Sequence, residues 1–373
     1  MTRPRYLEQV ILGEERGKLS WLIRALLWPL SMVYRAGLAA YLAAYSVGLR
    51  KRRRLKVPVI SVGNLTFGGT GKTPAVQTIC RILLDRGKQV AVLSRGHGGS
   101  ARGTVVVSDG HSIASDSRES GDEPMLLAMT LPGVPIVVGK DRRKSAQLAC
   151  ERFDPDVIVL DDGLQYWQLY RELDVVILDA ARPFGSGFVM PAGDLREPIG
   201  GLRRAGIVLL ANARELDEPA YSRVVRRVSQ LAPNALVFRC AHEPTCFKRA
   251  ADGQILALDW VKGRRIVAFS GIARPASFAD MLESLGASLE KNLAFPDHHA
   301  YTGNDIGLID LQRKSCRAEA AVTTEKDLAR LGPRAAIEDL YALAVKLEIE
   351  ESSRFADRIN STDKAASAKK TAD

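Results

Sequence analysis

A series of short, continuous runs of β-branched and aliphatic residues, alternating with helix-like segments, constrains the fold more than any other feature. From residue 57 onward the runs are VPVISV (57–62), QVAVLS (89–94), TVVVS (104–108), VPIVV (134–138), DVIVL (156–160), DVVIL (174–178) and GIVLL (206–210). Helix-like stretches lie between several of them, near residues 73–86, 122–130 and 143–153. Strands that are apolar on both faces are typical of parallel sheets covered by helices on both sides. The pattern predicts a doubly wound, mostly parallel α/β sheet with ligands at the carboxyl ends of its strands.

The chain is long enough for more than one folded unit. It has 373 residues, of which 46% are hydrophobic and 26% are charged, as in ordinary globular proteins. After residue 235 the alternation returns in a less regular form, with IVAFS (266–270), VTT (322–324) and LYALAVKLEI (340–349). We therefore predict a core over residues 57–235 and a smaller second α/β unit over residues 236–350. The polar tail, residues 351–373, is predicted to be disordered.

The net charge of +10 is concentrated in the N-terminal segment. Of the 53 Lys and Arg residues, 12 lie within residues 1–56, where only three acidic residues occur. The rest of the chain is close to neutral, which argues against a nucleic-acid-binding body. Nucleic acid is therefore not expected as a partner, and no obligate protein partner is predicted.

Two uncharged runs in this segment, residues 25–34 and 36–49, predict helices at a membrane surface. The longer run has 14 residues, and as a helix it would be ~21 Å long, short of the ~30 Å hydrocarbon core. Nearby aromatic residues and the basic cluster Arg50–Arg54 suit the headgroup region of an anionic leaflet. We predict that residues 1–56 form interfacial helices followed by this cluster. A buried helical hairpin and a single spanning helix are the alternatives.

The segment Gly68–Pro74 (GGTGKTP) is the strongest local signal of a phosphate-binding loop. It follows an apolar run and precedes a helix-like stretch, which is the context of a P-loop. The backbone amides expected to surround phosphate oxygens belong to Gly68, Gly69, Thr70, Gly71, Lys72 and Thr73. Lys72 would reach the β- and γ-phosphates of a nucleotide, and the Thr73 hydroxyl would bind Mg²⁺. The strict motif has glycine where Thr66 stands, and the alternative is a glycine-rich turn with an incidental lysine.

Asp161 and Asp162 directly follow the run DVIVL. A carboxylate that organises Mg²⁺ belongs at this position in P-loop enzymes. Aspartates at strand ends are also common turn formers, so the position alone leaves both interpretations open.

Two other classes of P-loop protein fit the residues less well. Partition-type ATPases carry a lysine just before the paired glycines, where this chain has Phe67. Regulatory GTPases read guanine with an N/T-K-x-D element, and Thr324–Asp327 (TEKD) is out of register with it. Guanine specificity is therefore not supported.

Several uncommon blocks, in order along the chain, resemble the tetraacyldisaccharide 4′-kinase family of Gram-negative bacteria. They are SVGNLTFGGTGKTP (61–74), SRGHGG (94–99), GDEP (121–124), DDGLQ (161–165), RPFGSG (182–187), PAGDLREP (191–198), FSGIARPASF (269–278), FPDHHAYT (295–302) and VTTEKDLARL (322–331). The blocks extend over most of the chain, so the resemblance is not confined to the phosphate-binding loop.

The resemblance implies an ATP-dependent transfer to the 4′-hydroxyl of a tetraacylated glucosamine disaccharide 1-phosphate, giving lipid IVA in lipid A biosynthesis. ATP and Mg²⁺ would be the cofactors, with Thr73, Asp161 and Asp162 as candidate metal ligands. The resemblance further implies a peripheral enzyme on the cytoplasmic face of the inner membrane, in contact with its anionic lipid surface.

The resemblance also implies roles for particular side chains. Asp122 is the candidate general base for the sugar hydroxyl, and His298 would pair with it. Lys72 is a third candidate catalytic residue on the evidence of the loop itself, where it would stabilise the transferred phosphoryl group. An aspartate of ordinary pKa ~3.9 is a weak base, and an imidazole partner can orient it or share its proton. Without the family, Asp122 reads as an acidic residue in the first turn of a helix. His298 likewise reads as a surface histidine in a loop.

Four further positions lie in matching blocks or beside them. Gln165 is expected to help organise the site around Asp161 and Asp162. Tyr166 stands where the family usually has histidine, so no role is carried over to it. Arg95 and Arg182 are candidates for phosphate contacts, because a guanidinium binds phosphate with two donors, and structural ion pairs are the alternative.

The function indicated is that of a lipid kinase. The alternative is a membrane-associated P-loop ATPase that uses nucleotide binding as a switch. A soluble small-molecule kinase, active without the N-terminal segment, is a third reading.

Overall fold

The computed structural model describes residues 6–15, 17–332 and 337–370. The helices are α1 (Tyr6–Leu12), α2 (Lys18–Ser46), α3 (Lys72–Leu84), α4 (Ser117–Ser120), α5 (Asp122–Thr130), α6 (Arg142–Phe153), α7 (Glu218–Leu231), α8 (Pro275–Ser284), α9 (Gly303–Ser315), α10 (Glu325–Leu331) and α11 (Ser352–Lys370). The strands are β1 (Val59–Asn64), β2 (Val90–Ser94), β3 (Thr104–Asp109), β4 (Pro135–Gly139), β5 (Val157–Leu160), β6 (Leu173–Asp179), β7 (Ile207–Ala211), β8 (Leu236–Arg249), β9 (Ile255–Leu256), β10 (Arg265–Ser270), β11 (Ser288–Ala294), β12 (Ala320–Thr324) and β13 (Leu340–Ile349).

These elements form two compact units, each built from separate stretches of chain. The first unit contains the described residues up to Arg95, Asp141–Ala241 and the residues from Glu348 onward. The second unit contains Gly96–Lys140 and the described part of His242–Leu347. This division differs from the predicted boundaries, because Gly96–Lys140 was expected in the core over residues 57–235. A prediction made along the sequence groups Gly96–Lys140 with the residues on either side of it. In the structure, this segment belongs to the same unit as residues that come much later in the chain.

The first unit is organised around a parallel sheet with the strand order β8-β7-β6-β1-β5-β2. Strands β1, β2, β5 and β7 are buried at every position, as expected for strands covered on both faces. Helix α3 packs against β1, and α6 packs against β2. The predicted fold class, a mostly parallel α/β sheet, is confirmed.

The second unit has its own parallel strands in the order β11-β10-β12-β13. Strand β9 pairs antiparallel with the later half of β8, and β3 pairs antiparallel with β4. Phe247, Ile266, Val322 and Leu343 belong to one buried cluster of this unit. Helices α5 and α10 pack against each other, which brings the start of α5 close to side chains of α10.

Helix α2 carries many exposed apolar side chains. Ser31, buried on its inner side, accepts a hydrogen bond of 2.9 Å from the Ala192 amide and donates one of 2.9 Å to the Val189 carbonyl. The exposed large side chains of the helix are Leu19, Trp21, Leu22, Leu26, Trp28, Leu30, Val33 and Tyr34. Within the part of the chain that the structure describes, no helix combines the length and apolar character needed to cross a membrane.

The prediction of a disordered tail over residues 351–373 was wrong for most of its length. Helix α11 extends over Ser352–Lys370, and residues 371–373 lie outside the described part of the chain. Phe355 and Ile359 are each 1% exposed, and the Phe355 ring meets the Phe238 ring edge to face at 5.5 Å. The tail is polar on average, but two apolar residues four positions apart form a stripe on one helix face. Composition averages conceal such a stripe.

Candidate active site

The loop between β1 and α3 has the backbone of a phosphate-binding loop. Gly68 and Gly71 have positive φ values of 104° and 88°, a conformation that favours glycine. Gly71 immediately precedes α3, which begins at Lys72. The first amides of a helix have no partners within the helix and carry partial positive charge. The loop therefore ends at a site that attracts anions.

Lys72 and Asn64 connect this loop to the end of β1. The Asn64 Nδ2 donates to the Thr70 hydroxyl at 2.9 Å, and the Lys72 Nζ donates to the Asn64 Oδ1 at 3.3 Å. The Lys72 side chain is buried and lies 3.6 Å from Oδ1 of Asp162. The ammonium group is thus held between Asn64 and Asp162 and not in open solvent.

Asp162 is the negative centre of this cluster. The Arg196 Nη1 donates to both of its carboxylate oxygens, at 2.7 and 2.8 Å. Burial alone would raise the pKa of the Asp162 carboxyl, but the charges of Lys72 and Arg196 outweigh that effect and lower the pKa to about 2. Asp162 is therefore ionised at neutral pH.

Asp161 occupies a different environment from its neighbour. It is fully buried at the end of β5, and its Oδ2 accepts a hydrogen bond of 2.8 Å from the Ser94 hydroxyl. The Arg142 Nη2 donates to the backbone carbonyl of Asp162 at 3.2 Å. These contacts fix the turn that carries both carboxylates.

The oxygen donors near the loop fit Mg²⁺. They are the carboxylates of Asp161 and Asp162 and the hydroxyl of Thr73, which is buried in the first turn of α3. Within the described residues, no group of three or more His, Cys, Asp and Glu side chains is arranged to hold a metal ion alone. Mg²⁺ in phosphate-transfer sites uses one or two protein carboxylates and completes its shell with phosphates and water. The donor set therefore suits a cation that arrives with a nucleotide.

The remaining predicted positions of the first unit are dispersed. The Gln165 Nε2 donates to the Asn64 carbonyl and to Oε1 of Glu197, each at 3.0 Å, so this side chain braces the end of β1. The Tyr166 hydroxyl donates to Oδ1 of Asp141 at 3.0 Å. Arg182 donates to the Leu12 carbonyl. Arg95 is exposed just after β2.

In the second unit, Asp122 and His298 lie together although 176 positions separate them in sequence. Asp122 is the first residue of α5, and its Oδ2 lies 3.2 Å from the His298 Nδ1. His298 has a positive φ of 58° in the loop before α9. The pairing expected from the family resemblance is thus present in the geometry of this unit.

Arg330 holds the same carboxylate from the other side. Its Nε donates to the Asp122 Oδ2 at 2.6 Å, and its side chain is 3% exposed. Burial alone would raise the pKa of the Asp122 carboxyl, but the hydrogen bond from His298 and the charge of Arg330 outweigh it, so the pKa lies below its ordinary value. Asp122 is ionised and oriented.

Asp327 in turn fixes Arg330. The Arg330 Nη1 donates to the Asp327 Oδ1 at 2.8 Å, and the Tyr301 hydroxyl donates to the same oxygen at 3.1 Å. Asp327 is fully buried. Burial and the Asp327 charge raise the pKa of the Tyr301 hydroxyl, which remains protonated as a donor. The Asp122 carboxylate therefore rests on a buried network and not on a flexible surface arginine.

Comparison with known proteins decides the family. The family model described as LpxK, tetraacyldisaccharide-1-P 4′-kinase, matches residues 23–363 of the chain. This chain belongs to the tetraacyldisaccharide-1-P 4′-kinase family. The predictions of a kinase and of membership in this family are confirmed.

Individual members of the family cover nearly the whole chain. The tetraacyldisaccharide 4′-kinase of Syntrophus aciditrophicus (strain SB) is 43% identical over 332 residues, covering 87% of this chain and 88% of the relative. That of Anaeromyxobacter dehalogenans (strain 2CP-C) is 41% identical over 327 residues, covering 88% of this chain and 86% of the relative. A crystal structure of LpxK from Aquifex aeolicus in complex with ATP is similar with a TM-score of 0.74 at 31% identity, covering 91% of this chain and 99% of that chain.

Several side chains that shape the two clusters were not expected from the sequence. They are Asn64 and Arg196 around Lys72, and Lys326 and Arg330 around Asp122 and His298. All four lie within blocks that carry the resemblance to the kinase family. The spacing of Lys326 and Arg330 was an available signal, because residues four apart share one face of a helix.

Proposed function

We propose that this chain transfers the γ-phosphate of ATP to the 4′-hydroxyl of a tetraacylated glucosamine disaccharide 1-phosphate, the step that yields lipid IVA in lipid A biosynthesis. The observation that carries the proposal is the ionised Asp122 carboxylate held between His298 and Arg330 in a chain of this kinase family. An oriented carboxylate beside an imidazole suits the removal of a proton from an alcohol.

The proposed nucleotide site is the loop from Gly68 to Thr73. ATP is the proposed donor, and the crystal structure of LpxK from Aquifex aeolicus in complex with ATP supports this choice. The loop amides and the start of α3 would bind the phosphates, and Lys72 would move its contact from Asp162 to the β- and γ-phosphate oxygens. Phosphoryl transfer depends chiefly on such positioning and charge stabilisation.

Mg²⁺ is the proposed metal cofactor. Thr73, Asp161 and Asp162 would hold it, and when bound it would neutralise charge on the β- and γ-phosphates. Because Asp162 accepts hydrogen bonds from Arg196 on both oxygens, its contact with a cation would replace or share one of them.

The acceptor step assigns a role to Asp122. The 4′-hydroxyl would give its proton to the Asp122 carboxylate while its oxygen forms the new bond to the γ-phosphorus. The bond from that phosphorus to the bridging oxygen of ADP would break, and ADP would leave with the electron pair. His298 would orient Asp122 through its ring nitrogen.

The proposed location is the cytoplasmic face of the inner membrane, reached through the N-terminal segment. The exposed apolar side chains of α2 include leucines and tryptophans of the kind that enter the headgroup boundary. The basic cluster Arg50–Arg54 is exposed after this helix, where cations are attracted to anionic lipid. A substrate with four acyl chains resides in such a bilayer, so an enzyme that docks there meets it.

The competing function, a nucleotide switch, is less well supported. Family membership favours a transfer to an alcohol acceptor over a switching ATPase. Family membership equally disfavours a soluble small-molecule kinase.

The test is a transfer assay with γ-³²P-labelled ATP and the acylated disaccharide 1-phosphate. We expect a labelled bis-phosphorylated lipid on chromatography, no labelled lipid with a 4′-deoxy analogue, and no product with the Lys72→Met variant. Release of labelled inorganic phosphate without labelled lipid would contradict the proposal and favour the switch.

A further inference from the structure

Lys326 and Arg330 lie on one face of α10 and both contact the His298 ring. Arg330 also contacts Asp122. Lys326 and Arg330 are four positions apart and therefore one turn apart on the same side of the helix. The Lys326 Nζ lies 3.4 Å from the His298 Nε2 and 3.4 Å from the Glu123 Oε1. The arrangement places a carboxylate, Asp122, at one ring nitrogen of His298 and an ammonium group at the other.

The contacts of His298 favour one of its two tautomers. A lysine ammonium only donates, so Nε2 of His298 meets it favourably only as an unprotonated acceptor. The proton then lies on Nδ1 and is donated to the Asp122 Oδ2 at 3.2 Å. In the opposite tautomer, the unprotonated Nδ1 could accept a hydrogen bond only from the Arg330 Nη2, at 3.4 Å. The lone pair of Nδ1 would then face the Asp122 carboxylate, and the proton on Nε2 would face the Lys326 ammonium group. Both of these contacts are unfavourable.

Other groups around His298 would favour a proton on Nε2 if Lys326 were absent. The Asp297 Oδ1 lies 3.9 Å from Nε2, and Asp122 provides a second negative charge on the far side of the ring. The His97 ring meets the His298 ring edge to face, with centroids 6.3 Å apart. Lys326 and Arg330 are the positive charges that oppose the two carboxylates.

We propose that Lys326 is a positioning residue that keeps Nε2 of His298 free of a proton, so that a neutral imidazole donates its Nδ1–H to Asp122. Glu123 anchors Lys326 for this purpose. An imidazolium at His298 would place a full positive charge against the carboxylate and weaken it as a base. Both His298 and Arg330 contact Oδ2 of Asp122, so in the proposed reaction Oδ1 would be the oxygen that receives the substrate proton.

The inference rests on the proposed function only for its kinetic consequence. The protonation of His298 can be measured without any substrate, by ¹⁵N-detected NMR of the imidazoles in the full-length protein at about neutral pH. The chain has five histidines, and the His298→Asn variant assigns the relevant signals. His299 is an internal reference, because its Nε2 lies 3.1 Å from Oδ2 of Asp305 and is expected to carry the proton.

In the wild type we expect His298 protonated at Nδ1 and unprotonated at Nε2. In Lys326→Met, Nε2 should gain a proton, and Lys326→Arg should restore the wild-type signal because arginine keeps the positive donor. Lys346→Met, which removes an exposed lysine of β13, is the matched control and should leave His298 unchanged. An Nε2 that remains unprotonated in Lys326→Met would overturn the inference, whatever the enzyme does.

Steady-state kinetics of Lys326→Met distinguishes this inference from the proposed function. Lys326→Met should lower kcat by less than the ~10²–10⁴-fold expected for loss of the base itself, with KM for ATP unchanged. A changed His298 signal with an unchanged rate would support the positioning by Lys326 and overturn the catalytic role proposed for the Asp122–His298 pair.

Discussion

The Nζ of Lys72 lies 3.6 Å from Oδ1 of Asp162, the same oxygen that accepts a 2.7 Å hydrogen bond from Arg196. One carboxylate thus balances two cations beside the proposed phosphate site. In the proposed mechanism, incoming phosphates would compete with Asp162 for Lys72, and a metal ion bound to Asp162 would release the lysine. The same carboxylate would therefore oppose ATP binding without the metal and favour it with the metal.

This relationship gives a prediction for Asp162→Asn. Without Mg²⁺, in the presence of a chelator, the variant should bind ATP more tightly, because Asp162 no longer competes with the phosphates for Lys72. With Mg²⁺ it should bind ATP less tightly and turn over more slowly. Titration calorimetry with and without Mg²⁺ measures the two affinities for ATP. Asp85→Asn, at an exposed position after α3, should show neither change, and weaker binding of metal-free ATP by Asp162→Asn would contradict the argument.

Replacement of Asp122 by alanine tests the proposed base. The variant should lose ~10²–10⁴-fold in kcat, the usual contribution of general base catalysis, while its affinity for ATP stays close to that of the wild type. Steady-state kinetics with a separate ATP-binding measurement separates the two quantities. Asp280→Ala removes an exposed aspartate of α8 in the same unit and should retain full activity. Wild-type turnover by Asp122→Ala would refute the assignment.

Arg330→Met should destabilise the protein, because it leaves two carboxylates without their cation. Asp327 is fully buried, and loss of one partner of a buried pair costs about 3–5 kcal/mol. The free energy of unfolding in urea measures the effect. Arg249→Met breaks an exposed pair with Asp252 and should cost less than about 1 kcal/mol. Equal losses in both variants would show that burial of the network contributes nothing.

Arg330→Lys tests the effect of this arginine on the pH dependence. In the wild type the pKa of Asp122 lies below its ordinary value, in part through the charge and hydrogen bond of Arg330. A lysine keeps the charge but loses the planar contact, so the Asp122 pKa should rise and the acidic limb of kcat/KM should move to higher pH. A shift of the acidic limb to lower pH would contradict the predicted rise of the Asp122 pKa.

The fold was predictable from sequence because the strands of the first unit are buried on both faces and therefore apolar throughout. The loop at Lys72 was predictable for a related reason, since glycines must occupy its left-handed positions. The grouping of Asp122 with His298 followed only from the family resemblance, because it depends on packing between α5 and a loop distant in sequence. Lys326 and Arg330 were not singled out, since charged residues on a short helix are normally assigned to solvent.

The prediction for the tail was wrong for the same reason, because it overlooked packing between residues that are distant in sequence. The contribution of this packing to stability can be measured with Phe355→Ala. Phe355 is 1% exposed against Phe238, and truncation of a buried phenylalanine costs about 3–5 kcal/mol. Chemical unfolding of the full-length variant should show that loss. Phe188, which is 41% exposed, provides the matched substitution, and its replacement by alanine should cost clearly less. A Phe355→Ala protein as stable as the wild type would mean that α11 adds nothing to the core.

Membrane docking through α2 is tested by Leu26→Glu. Leu26 is 69% exposed, so the substitution should leave the fold intact while it places a carboxylate in the proposed headgroup contact. Cosedimentation with vesicles that contain phosphatidylglycerol should fall strongly, and transfer to bilayer-presented substrate should fall with it, whereas transfer to detergent-dispersed substrate should persist. Leu311→Glu changes a leucine that is 61% exposed on α9 and should sediment like the wild type. If both variants sedimented equally well, the exposed leucine face of α2 would not be the surface that meets the lipid.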